Sequence, residues 1–105
     1  MPQPIITDLF GNGSTFSGTP KILAVPLTAL PALTSANPTA LEIYAAIIQT
    51  AHTWINANTD TTVMAASDLT INSPITRNGT AKTQFQYAAK FYGNYTAPIF
   101  DPNAV

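Results

Sequence analysis

Residues 62–95 read TVMAASDLTINSPITRNGTAKTQFQYAAKFYGNY, and the alternation within this stretch decides the fold. Odd positions carry the apolar set on both sides of Asn78-Gly79: Val63, Ala65, Leu69, Ile71 and Ile75 before it, then Phe85, Tyr87, Ala89 and Phe91 after it. A period of two is the signature of a strand with one dry face, and Asn-Gly between two such runs marks a hairpin. The register follows from the faces. A two-residue Asn78-Gly79 turn pairs residues whose numbers sum to 157, setting Ile71 opposite Gln86 and mixing dry with wet. A three-residue loop, Arg77-Asn78-Gly79, pairs residues summing to 156, so that Ile71 meets Phe85 and Leu69 meets Tyr87. This second register is the one predicted. It leaves Lys82, Gln84, Gln86 and Lys90 on the wetter face, with Pro74 interrupting the ladder as an edge or bulge because it has no N–H to donate.

Upstream, one amphipathic helix is predicted over residues 39–57. Asn37-Pro38 offers an N-cap with proline in the first turn, and Thr39-Ala40-Leu41-Glu42 offers a capping box. Both starts give the same body. At the helical period, Glu42, Ala46, Gln49, Thr53 and Asn56 form a polar stripe, while the apolar residues, among them Ile43, Ile47 and Trp54, cover about 200° of the circumference. A surface helix needs roughly half that width. Ile43, Ile47 and Trp54 are therefore candidate contacts with the N-terminal segment or a neighbouring subunit. Asn56-Ala57-Asn58 ends the helix, with asparagine suited to a left-handed cap.

Residues 1–38 hold six of the nine prolines and three of the five glycines, which predicts an extended arm rather than regular structure. Within it, Gly11-Asn12-Gly13 reads as a tight turn and Lys21 to Val25 as a short strand. At the other end, residues 96–105 form a C-terminal arm whose apolar Ile99 and Phe100 predict packing against protein, and Tyr92 and Tyr95 are left over for an interface. The expected architecture is α+β: a single domain, 1–105, with one helix on a small antiparallel sheet or long β-hairpin and an extended arm at each end.

Composition narrows the function. The chain is 46% hydrophobic and only 9% charged, with a net charge of -1; ordinary domains are roughly 25% charged. Four scattered cations cannot form the basic surface that grips nucleic acid, nor a polybasic membrane patch. The absence of cysteine excludes disulfides and thiolate zinc sites. The N-terminal residues lack the charged and apolar regions of a signal peptide, and Leu41 to Ile55 falls short of the ~20 apolar residues of a membrane span.

Catalytic chemistry is equally thin. His52 is the single histidine, the acids Asp8, Glu42, Asp60, Asp68 and Asp101 are dispersed, and no nucleophile elbow or P-loop lysine occurs. No enzyme, metal site or cofactor is expected. Thr, Asn, Ala and Gln dominate instead, side chains that meet other protein with little desolvation cost.

The proline-rich arm (Met1 to Leu33), the single helix (Thr39 to Asn56), the Thr/Asn-rich hairpin and the anchored tail (Tyr95 to Phe100) together resemble the small virion accessory proteins of tailed bacteriophages, the decoration or cement proteins of the head. The resemblance implies a symmetric homo-oligomer, often a trimer, seated on a major capsid or other virion protein and reinforcing the lattice. Its contact residues would come from Ile43, Ile47, Trp54, Tyr92, Tyr95, Ile99 and Phe100. The alternative is a small binding module for a glycan or surface protein partner, with Trp54, Tyr92 and Tyr95 as its aromatic platform.

Overall fold

The computed structural model describes residues 3–93 and 100–105. The chain is α+β, with one main helix and two antiparallel two-stranded sheets. It divides into two units, residues 1–63 and 64–105.

The first unit opens with a short helix where an extended arm was expected. Helix α1 (Ile6–Phe10) starts where the Ile5 amide donates to Asp8 Oδ2 at 2.9 Å, and it stops at Gly11, whose φ of 96° only glycine adopts without strain. Asp8 thus satisfies an amide that the helix start would leave unpaired. The Ser14 hydroxyl then donates to the Phe10 carbonyl at 2.9 Å and the Ser14 amide to the Gly11 carbonyl at 3.2 Å, closing the turn read from Gly11-Asn12-Gly13. Strands β1 (Thr15–Gly18) and β2 (Lys21–Ala24) follow as a small hairpin, Phe16 opposite Leu23.

Helix α2 (Ala40–Ala57) uses the capping box of the two starts open to it. Thr39 Oγ1 accepts from the Glu42 amide at 3.1 Å while Glu42 Oε1 accepts from the Thr39 amide at 3.0 Å, pairing two otherwise unpaired donors. Its end departs from the expected left-handed cap. Asn58 has φ of -124°, and its side-chain amide donates to the Trp54 carbonyl at 2.8 Å, so the side chain does what a glycine-like backbone turn would otherwise do.

Helix α1 packs against α2, and the first unit buries Ala29, Leu30, Ala46, Ile55 and Val63. Two of these correct the sequence reading. Ala46 was placed on the polar stripe, yet it is buried, because a methyl group carries no polar atom that must reach water. Val63 is expected in the hairpin from its alternation. It lies instead in the turn closed by its own amide donating to the Asp60 carbonyl at 3.0 Å, two residues before the first hairpin strand.

The second unit is built on that hairpin, β3 (Ala65–Arg77) and β4 (Thr80–Phe91). From Ala65↔Phe91 to Asn72↔Gln84 the partners sum to 156, with Leu69 opposite Tyr87 and Ile71 opposite Phe85 as predicted. The loop differs from the expected three residues. It has two residues, Asn78 and Gly79, both at positive φ (53° and 74°), and the partners beside it, Ile75↔Lys82 to Arg77↔Thr80, sum to 157. A bulge between Asn72 and Ile75 absorbs the difference. Asn-Gly favours the two-residue turn on local backbone grounds, and Pro74 supplies the place where a ladder bond is lost anyway. The bulge also moves Ile75 to the face of Lys82, away from Ile71.

Among the described glycines, the one at the end of α1 is the most constrained. A Cβ at Gly11 would overlap the Ala29 carbonyl oxygen, whereas one at Gly18 meets nothing within 4 Å. Gly11→Ala is expected to destabilise by at least about 2 kcal/mol and Gly18→Ala by no more than about 0.5 kcal/mol, read from urea unfolding of Trp54 fluorescence. Equal effects would contradict the close approach. Thr39→Ala, which removes one half of the capping box, is expected to cost about 1 kcal/mol in the same measurement.

Candidate functional site

The hairpin has two chemically opposed faces. On one lie Ala65, Ser67, Leu69 and Ile71 with Phe85, Tyr87, Ala89 and Phe91, none of them charged. On the other lie Asp68, Arg77, Lys82 and Lys90, all the charges of both strands. Lys90 Nζ sits 3.2 Å from Asp68 Oδ2 across the ladder, an exposed pair that contributes little energy but marks this face as the wet one. Near the bulge the pairing is polar: Asn72 Nδ2 donates to Gln84 Oε1 at 3.2 Å, and the Ser73 and Thr83 hydroxyls lie 2.9 Å apart.

The period of two predicts that this uncharged face is dry. It is not buried. Leu69, Ile71, Phe85 and Phe91 are 39%, 57%, 59% and 53% exposed, and only Tyr87 among the large side chains is partly covered. Phe100 lies against Phe91, ring centroids 5.8 Å apart at 32°, so the described end of the C-terminal arm extends this apolar surface. Asp101 Oδ1 then accepts from the Asn103 amide at 2.9 Å and turns the chain.

The seven interface candidates fall in both units. Ile43, Ile47 and Trp54 lie on α2 and are half-buried; Tyr92 and Phe100 are exposed in the second unit; Tyr95 and Ile99 lie outside the described residues. On α2 the large apolar side chains left in water are Leu41 and Tyr44, which the helix-face reading did not single out. The larger omission is the hairpin face itself.

A concave feature lies wholly in the first unit. A groove of about 600 Å³ runs beside Trp54, between Pro31, Ala32 and Ala57, with Asp8, Gln49 and Asn58 at its border. The Asp8 carboxylate and Asn58 amide are partly engaged in holding helix ends, and the lining is mainly apolar. Among the described residues no cluster of three His, Cys, Asp or Glu could hold a metal ion, and no helix is long and apolar enough to cross a membrane.

One carboxylate is tuned. The Thr62 amide and hydroxyl each donate to Asp60 Oδ1 at 2.8 Å, and the backbone bond first, then the hydroxyl, hold the Asp60 carboxyl below its ordinary value of 3.8. A depressed folded value makes this contribution fully present above the unfolded pKa and lost as pH falls through the folded one. The Thr62 amide resonance should therefore titrate with a midpoint below 3.8 and lose the transition in Asp60→Asn; a midpoint at or above 3.8 would contradict the assignment. Compared with family models, with curated proteins and with solved structures, the chain matches none of them.

Proposed function

We propose that this chain is a structural assembly protein, in its most specific form a decoration or cement protein that binds a virion capsid lattice and stabilises it through oligomeric contacts. The observation that carries the reading is the uncharged, exposed face of the β3/β4 hairpin. An isolated two-stranded hairpin is marginally stable in water, and contiguous apolar patches on soluble monomers are small. A face of this composition acquires its stability from protein laid over it. The low overall charge supports the same reading, because interface cores are depleted in Lys, Glu and Asp and a surface with few charges has little colloidal repulsion. A cement protein needs no catalytic group. It acts by adding buried area between lattice subunits that would otherwise meet only each other.

A second reading, a small binding module for a glycan or surface protein partner, is favoured by the groove beside Trp54, where an indole is bordered by one carboxylate and two amides. Because Trp54 is the single tryptophan, its emission reports directly on this groove. Saturable shifts with an oligosaccharide panel would favour the module over the lattice protein.

On sedimentation at micromolar concentration the purified chain is expected to run as a multiple of 11.1 kDa, and in lysates of its source to co-sediment with assembled particles at a fixed ratio to the shell subunit. A monomer confined to the unassembled fraction would overturn the proposal.

A further inference from the structure

We infer that the uncharged face of the β3/β4 hairpin closes against the same face of a second copy of this chain, related by a two-fold axis. The inference rests on the assembly reading above and names the partner of its central surface.

Charge is the first argument. A two-fold contact places each residue near its own copy or near the copy of a neighbour, so any net charge on the patch meets like charge. The face bearing Leu69, Ile71, Phe85 and Tyr87 has none, while the opposite face carries Arg77, Lys82 and Lys90 against Asp68 and would repel itself. Shape is the second. Along the hairpin, the bulky row Leu69/Tyr87 is followed by the small row Ser67/Ala89. With the two-fold axis between those rows, the large side chains of one copy lie over the small ones of the other, the interdigitation by which stacked sheets fill their roughly 10 Å spacing.

Growth by strand addition along β3 is disfavoured at the bulge, where Pro74 offers no N–H. The inference therefore predicts an even-numbered oligomer in place of the trimer that the resemblance implies.

The native chain has no cysteine, so single-cysteine variants report one site each. Ala89 and Ala88 are adjacent, both exposed, and on opposite faces, which makes Ala89→Cys and Ala88→Cys a matched pair. Treated with a short bis-maleimide, Ala89→Cys is expected to form covalent dimer at least about tenfold faster than Ala88→Cys, because the two-fold contact raises the effective thiol concentration. Equal rates, or a trimeric wild type, would overturn the inference. Phe85→Lys should shift the oligomer to monomer while the helical circular dichroism and Trp54 emission persist. If Phe85→Lys instead leaves self-association intact and abolishes particle co-sedimentation, the face belongs to a lattice subunit; this inference then fails and the assembly reading stands. A wild type that neither self-associates nor co-sediments removes both.

Discussion

The bulge at Ser73-Pro74 governs how the charges of this chain are distributed. Asn78-Gly79 forms a two-residue turn with both φ angles positive, and that turn alone would carry the 157 register down the whole hairpin, setting Leu69 beside Ala88 and Ile71 beside Gln86. One extra residue on β3 shifts the pairing by one, and beyond it every large apolar side chain of both strands points the same way. The four charges of the strands consequently share the other face. A local backbone irregularity thus converts two alternating strands into a sheet with one surface suited to water and one suited to protein.

The first unit is organised differently, around closures at chain reversals. Asp8, Thr39, Glu42, Asn58 and Asp60 each place a side chain on a backbone amide or carbonyl at the end of a helix or turn. These bonds satisfy donors and acceptors that a small core cannot hide, and they use three of the five acids of the chain. Around them the buried set is modest, with Leu30 the single large side chain among the described residues fully withdrawn from water. Few charged side chains remain for a solvated surface, so the polar exterior is made chiefly of threonine, asparagine and glutamine.

The helix and the body of the hairpin were legible in the sequence because each is specified locally: Thr39 and Glu42 by their spacing, Leu69 and Tyr87 by their alternation about Asn78-Gly79. What escaped the reading depends on nonlocal facts. Two-fold periodicity requires that Ile71 and Phe85 share a face, but not that the face is buried, and both side chains are more than half exposed. Turn chemistry and register gave opposite answers at residues 72–79, and only a bulge reconciles them; Pro74 signalled its place but not the loop length. Helix α1 is a single short turn set by the Asp8 cap and Gly11, features too brief to stand out among the prolines of the arm. Trp54 was singled out as an interface residue, whereas its neighbours Asp8 and Pro31 in the groove come from distant sequence.

The central claim is that the hairpin is completed by a neighbouring molecule. Amide hydrogen exchange measured over a dilution series tests it most directly, since protection that depends on association falls as the complex dissociates. The account predicts that protection of β3 and β4 decreases on dilution while that of α2 stays constant. Protection of the hairpin that is independent of concentration, from the most concentrated sample to the most dilute, would contradict it.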